Sequence, residues 1–490
     1  MPFGSLLSDL NRRPRLVFAL TLVIGVAFMA LFTALLARPE FHTADSPGYL
    51  NWSILRTPGY PLVLSLVRMV DPTLGVLPYL QMAVFVISTA VLMQACHRVR
   101  PAAWLWTATG AAIVANPFLW RYAWTIMTDS LYSSSCMVFL ACMAMALRPS
   151  PDRVRWLGLS GAVLGIAIML RPSAYALLAA SVVGVLLWLR PRIKLAAVLV
   201  APALACVLLA SAWNWSARGF FGTQVFAGYS LMGQAAFLVR PHEGDPHAAL
   251  TARIVAELKP VADRLPQPFT QWSNYYWLVS EGYNHALWQI IVPDLDAEVT
   301  RASAASGEEL SENGKIQRIN ALAHDIALSA IRRDPVGYAW QAAVNFVGLW
   351  LLPAISSAEE SQRVAALLCA PKSAGFFFCS DHRFQARIIV GKGVETAKEI
   401  ALLLLMVLAL SMPLAAVIFG QKYSLLILGA VAALCIDANH ALVALTVPGI
   451  PRYAIEMWPL LCVMTMCAGL VAVELIRRPG KPFFGFVAGR

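Results

Sequence analysis

The sequence predicts an all-α polytopic membrane protein of about ten transmembrane helices with one sizeable, mainly helical extracytoplasmic portion. Three observations carry that prediction. Hydrophobic residues make up 59% of the 490-residue chain and charged residues only 13%, whereas a soluble globular protein is about 25% charged. Mean hydropathy is +0.65. The apolar residues also come in long runs, gathered before residue 214 and after residue 393. The expected divisions are an N-terminal transmembrane module (1–213), an extracytoplasmic region with interfacial helices (214–393) and a C-terminal transmembrane module (394–490). The net charge of +11 is read by location, because basic residues gather on the cytoplasmic edge of a membrane protein. The expected partner is a lipid bilayer, not nucleic acid.

The first run, Leu16 to Ala37, follows Arg12, Arg13 and Arg15. Crossing about 30 Å of hydrocarbon at about 1.5 Å per residue takes roughly 20 apolar residues, so this run spans. It is too long for a signal-peptide core and no small-residue cleavage site follows, so a retained anchor with a cytoplasmic N-terminus is expected. Beyond it lie Asp45-Ser-Pro-Gly-Tyr49 and Leu55-Arg-Thr-Pro-Gly-Tyr-Pro61. Pro47, Gly48, Pro58, Gly59 and Pro61 interrupt any long helix, so a short, bent segment along the membrane surface holds Asp45 near the far interface. Taken alone, Asp45 or Ser46 before Pro47 is also an ordinary helix start.

Further runs follow at Pro78 to Cys96, Ala102 to Leu119, Leu131 to Leu147, Leu157 to Leu170, Ala174 to Leu189 and Leu195 to Trp213. The basic breaks His97-Arg-Val-Arg100, Arg148 to Arg155 and Arg190-Pro-Arg-Ile-Lys194 fall on alternate turns, which the positive-inside rule makes cytoplasmic. The turns holding Asp45, Trp120 to Asp129 and Arg171-Pro-Ser173 then share the opposite side.

From Asn214 to about Pro335 the sequence is polar without a span. His247 to Leu265 and Ser311 to Arg333 are helix-like, the latter with Ile316, Ile319, Ala323, Ile326 and Ile331 on one face and Ser311 as cap. Such a helix packs on its neighbours or faces substrate. Ala339 to Pro353 has only the length of a buried or re-entrant helix. If it crossed, Arg477, Arg478 and Lys481 would land outside. If it lies along the interface, the runs Ile400 to Phe419, Leu425 to Val447 and Tyr453 to Ile476 put Gln421-Lys422 and that basic tail inside, as positive-inside favours. Among nine cysteines none has metal-ligand spacing. Cys369 and Cys379 then fall in an oxidising compartment, as a disulfide or as two free thiols. There is no Gly-rich phosphate loop, Walker motif or dinucleotide fingerprint, so a nucleotide-sugar or ATP site is unsupported.

Four groups converge on the outer side: Asp45; Asp129 with Thr128 and Tyr122; Arg171; and the turn Pro448-Gly-Ile-Pro-Arg-Tyr453. Thr128-Asp-Ser-Leu-Tyr132 is a helix start or a second acidic motif. Arg121, Arg171 and Arg452 are interfacial snorkelling arginines or ligands for a phosphate, which a guanidinium contacts through two oxygens at once. Lys392 is a further outer cation. Asp437, Asn439 and His440 lie within a span, where ionisable residues either pack in pairs or serve a site, here the sugar or its acceptor.

An acid after the first span, a Tyr four residues on, and then Arg56-Thr-Pro-Gly-Tyr-Pro61 resemble the first external loop of the GT-C glycosyltransferases. Thr128-Asp-Ser-Leu-Tyr132 resembles their second acidic motif, and Pro451-Arg-Tyr453 their C-terminal basic-aromatic turn. These membrane enzymes use polyprenyl-phosphate sugars and include protein O-mannosyltransferase and aminoarabinose-transferase relatives. The resemblance implies that Asp45 is the catalytic base, with Asp129 the second catalytic acid. The residues expected around the substrates are Tyr49, Arg56, Tyr60, Arg121, Tyr122, Arg171, Lys392, His440, Arg452 and Tyr453. The resemblance itself does not assign His440, and Arg171 and Lys392 are read from their charge and their place on the outer side. Many relatives carry two adjacent acids where this chain has Asp45 followed by Ser46, which adds weight to Asp129. The expected reaction is inverting transfer from a polyprenyl-phosphate sugar to an extracytoplasmic glycan, glycolipid or protein. The expected location is a bacterial inner membrane, with the active site facing the periplasm. No cofactor is required, and a divalent ion held by Asp45 and Asp129 is compatible with the motifs. The alternatives are a transporter or flippase of lipid-linked sugars, favoured by Asp437 to His440, and an O-antigen ligase or polymerase, which would place its chemistry in the later loop.

Overall fold

The computed structural model describes residues 13–35, 41–43, 45–148, 150–263, 283, 285–351, 392–420, 424–447 and 452–476. The described residues form helices and turns, with no strand among them. Helix α1 (Pro14–Leu35) leads through two short helices, α2 (Ser46–Leu50) and α3 (Gly59–Arg68), into α4 (Leu77–Val99). The run expected from Ala102 to Leu119 is two pieces, α5 (Ala103–Val114) and α6 (Pro117–Trp124). The break is local turn chemistry: Asn116 Oδ1 accepts from the Phe118 amide at 3.0 Å, and Pro117 occupies the first helical position, both of which favour a fresh start.

Helices α7 (Asp129–Leu147), α8 (Arg153–Leu170), α9 (Ala174–Trp188) and α10 (Arg192–Arg218) complete the first part of the bundle. Gly161 and Gly165, one turn apart on α8, let it approach α10 closely, because a Cβ at either would run into Leu199, Ala203 or Cys206. Small residues at that spacing bring membrane helices into backbone contact. Gly219 stops α10 at φ +77°, a left-handed cap that a residue with a Cβ adopts at a cost.

Outside the bundle, α11 (Ala227–Ala235), α12 (Ala248–Ala262), α13 (Val292–Ser306) and α14 (Glu312–Arg333) share a core of their own that includes Tyr229, Leu250, Ile254, Leu295, Ile319, Ala323 and Ile326. Ser311 Oγ accepts from the Gly314 amide at 3.1 Å, so the expected cap of α14 is in place. Helix α15 (Pro335–Leu351) then packs along the later half of a span. The Tyr338 hydroxyl donates to the Leu445 carbonyl, and the Phe346 and Trp350 rings lie 6.5 and 5.1 Å from the His440 ring. Helices α16 (Lys392–Phe419), α17 (Ser424–Thr446), α18 (Arg452–Ile455) and α19 (Trp458–Ile476) close the bundle.

Among the described residues, eight helices are long and apolar enough to cross a membrane, α5 and α9 being apolar but shorter. The chain is therefore a helical multi-pass membrane protein. Its spans alternate, so one end of the bundle gathers Asp45, Asp129, Arg171 and Arg452. At the other, Arg100 pairs with Glu474 at 3.7 Å. Cys369, Cys379 and the tail beyond Ile476 lie outside the described residues; the described cysteines are free thiols.

Candidate functional site

The proline- and glycine-rich loop after α1 is pinned to the bundle by its backbone and hydroxyls. Ser46 Oγ donates to the Ile126 carbonyl at 3.1 Å and Thr57 Oγ1 to the Leu170 carbonyl at 3.0 Å. A Cβ at Gly59 would stand 2.5 Å from the Met169 carbonyl oxygen, so glycine is what permits the loop to seat against α8. This fixes Asp45. Its carboxylate makes no cap bond to α2. Arg56 Nη2 instead donates to Oδ1 at 2.5 Å and Arg452 Nη1 to Oδ2 at 2.7 Å. Burial works against ionisation here, yet the guanidiniums of Arg56 and Arg452 outweigh it and hold the Asp45 carboxyl well below the usual carboxylate range. Both arginines are held charged by the same contact, against the effect of their burial.

A second ion cluster surrounds Arg171 at the end of α8. Its Nη1 donates to Asp129 Oδ1 at 3.1 Å and also meets Glu456 Oε1. Asp129 and Glu456 are 1% and 0% exposed. The guanidinium carbon lies 4.5 Å from the Tyr453 ring centroid and 5.8 Å from that of Tyr132. Asn439 ties these aromatics together, its Oδ1 accepting from the Tyr132 hydroxyl at 3.2 Å and its Nδ2 donating to the Tyr453 carbonyl at 3.5 Å. One cation is thus fixed by two carboxylates and two aromatic faces.

The two clusters face one cavity of about 420 Å³. Tyr49, Arg56, Thr57, Thr128, Asp129, Arg171, Arg452 and Tyr453 line its charged wall. Phe226 at the start of α11, Ser230 and Leu231 within it, and Leu442 and Thr446 of α17 line the other side, so the outer helices partly roof it. A larger, apolar groove of about 810 Å³ runs between α3, α4, α7, α8 and α10. Leu170 lines both spaces.

Of the expected residues, Tyr49, Arg56, Asp129, Arg171, Arg452 and Tyr453 therefore meet at the cavity, and Asp45 stands against two of them, Arg56 and Arg452. Others do not line it. Tyr60 is fully buried, its hydroxyl donating to Gln81 Oε1 at 3.2 Å and its ring edge-on to Tyr49. Tyr122 packs in the bundle core, and Arg121, also on α6, is likewise absent from the cavity wall. His440 is buried against Trp350 and Phe346 on α17. The side chain of Lys392 lies outside the described residues. Sequence reasoning missed Glu456, Tyr132 and Thr57. Glu456 carried a signal, being one of two acids, with Glu474, inside the apolar run from Tyr453 to Ile476. Among the described residues no three His, Cys, Asp or Glu side chains cluster as metal ligands.

Compared with known proteins, the chain matches no family model, no curated protein and no solved structure.

Proposed function

We propose that this protein is an inverting glycosyltransferase of GT-C type that moves a sugar from a polyprenyl-phosphate donor to an extracytoplasmic glycan, glycolipid or protein. The observation that carries the reading is the surplus of one guanidinium around Asp45, two arginines against one carboxylate, at the wall of a cavity that adjoins an apolar groove. A lipid phosphate fits such a place: its charge takes Arg56 and Arg452, and its chain has the groove alongside.

In the reaction the acceptor hydroxyl oxygen forms a bond to the anomeric carbon as the bond from that carbon to the phosphate oxygen breaks. The bonding pair leaves with the phosphate, whose growing charge is met by Arg56 and Arg452. The hydroxyl proton passes to Asp45. While both guanidiniums hold it, Asp45 is a feeble base; a phosphate that takes them over restores its basicity. Asp129 and Thr128 are placed to accept from sugar or acceptor hydroxyls. The reading invokes no cofactor, because arginines neutralise the leaving group. A divalent ion shared by Asp45 and Asp129 would have to displace the arginine contacts that both acids make.

The eight long helices, with α9 and the broken α5–α6 pair, make ten spans. With the basic turns inside, the cavity faces the periplasm of a bacterial inner membrane. One observation favours a second reading, transport of a lipid-linked sugar: His440 sits buried part-way along α17 with neither ring nitrogen hydrogen-bonded. Binding of a polyprenyl-phosphate sugar to the purified protein separates the readings. The transferase reading expects binding that Arg452→Gln weakens at least tenfold, about 1.4 kcal/mol, and no net movement of lipid across a sealed vesicle. Lipid movement without glycosyl transfer would replace it.

A further inference from the structure

The geometry points to Glu456 as a positioning residue that keeps Arg171 off the donor phosphate, leaving Arg56 and Arg452 as its ligands; this rests on the donor assignment above. Three guanidiniums stand on one cavity wall, and a phosphate has reason to take all of them. The two ion clusters are not alike. Around Asp45 there is one cation in excess, and around Arg171 one anion in excess, because Asp129 and Glu456 share it. Glu456 is wholly buried and is absent from the cavity wall. Its carboxylate therefore serves Arg171 from behind.

Asp129 alone would leave Arg171 in a neutral pair, with the donors of its planar fork free to turn toward a second anion. With Glu456 added, an anion approaching Arg171 meets a cluster already negative, and the favourable place moves to Arg56 and Arg452. A single stretch of backbone delivers this arrangement. Arg452 and Glu456 belong to one turn, in which the Glu456 amide donates to the Arg452 carbonyl at 3.4 Å. Tyr453 between them packs on Arg171 and lies 5.4 Å beneath Arg452. The turn thus places its positive charge in the first cluster and its negative charge in the second.

A phosphate drawn to Arg171 would be bound more tightly and held in the wrong place, since an interaction of equal strength in ground and transition states does not speed the chemistry. The test uses the full chain in lipid nanodiscs, with polyprenyl phosphate as the binding probe and transfer from polyprenyl-phosphate sugar as the readout. Glu456→Gln is expected to bind polyprenyl phosphate about tenfold tighter, with a lower KM for donor and a kcat about tenfold lower. Adding Arg171→Gln is expected to return the affinity to the wild-type value, and Glu456→Asp, which keeps the charge, to leave it there. Equal or weaker binding by Glu456→Gln, or tighter binding that survives Arg171→Gln, overturns the assignment. Should Glu456→Gln not fold, Arg171→Gln alone decides. Unchanged affinity for polyprenyl phosphate supports the inference and a tenfold loss overturns it. A wild type that binds no polyprenyl phosphate overturns the donor reading and this inference together, whereas wild-type binding with no increase in Glu456→Gln overturns this one only.

Discussion

Arg452 and Glu456 stand one helical turn apart and serve opposite ion clusters. Arg452 Nη1 donates to Asp45 Oδ2 at 2.7 Å, while the Glu456 carboxylate meets Arg171. Through this turn the last span is tied to both the first loop and the end of α8, far apart in sequence. How these charges are shared, and how the helices beside them pack, sets what substitution and pH should do.

Removing either arginine from Asp45 should weaken the donor site and loosen the loop. For Arg56→Gln and Arg452→Gln we expect at least tenfold weaker binding of polyprenyl phosphate. Losing one partner of a partly buried pair also costs up to about 3–5 kcal/mol, so thermal melts in detergent should fall for both. Unaltered affinity in both variants would place the phosphate elsewhere.

The pH dependence of stability has a definite sign. Asp45 is held below its ordinary range by Arg56 and Arg452, against the effect of burial. Its contribution to stability is therefore present above the unfolded value, about 3.9, and is lost as pH falls through the depressed folded value. Melting temperature should drop on acidification below about pH 4 in the wild type more steeply than in Asp45→Asn. Parallel acid limbs would show that Asp45 is not so held.

Kinetics should separate the free protein from its donor complex. A phosphate that occupies Arg56 and Arg452 releases Asp45, so the acid limb of kcat should lie at higher pH than that of kcat/KM, which reports the free protein. Coincident limbs would mean that donor binding leaves the arginines on Asp45.

The apposition of α8 and α10 gives a prediction independent of function. A Cβ at Gly161 would collide with the Leu199 backbone, which cannot swing aside as a side chain can. Gly161→Ala should cost about 1–3 kcal/mol, read as a lower melting temperature. Gly469, whose Cβ would meet open space, should accept alanine without that loss.

Much of this arrangement is legible in the sequence, and the illegible parts have physical reasons. Alternating basic turns are enough to bring Asp45, Asp129, Arg171 and Arg452 to one end, because antiparallel spans leave their connections no other choice. The pairing is not readable: Arg452 on Asp45, and Glu456 on Arg171, depend on contacts between segments hundreds of residues apart. Glu456 could have been flagged by the same reasoning that singled out Asp437, since each is an acid within an apolar run. His440 fails as a cavity residue because α15 packs its aromatics over that face of α17, and a helix of that length gives no sequence clue to its partner. Tyr60 and Tyr122 show a related ambiguity. An interfacial tyrosine looks the same whether its hydroxyl meets a substrate or, as for Tyr60, the Gln81 amide.

The most direct measurement is single-turnover transfer of labelled sugar from a saturating polyprenyl-phosphate donor, with wild type and Asp45→Asn compared at equal donor occupancy. The account predicts that Asp45→Asn still binds donor and loses transfer by about a hundredfold or more, the size of a missing general base. Transfer at the wild-type rate by Asp45→Asn would contradict it.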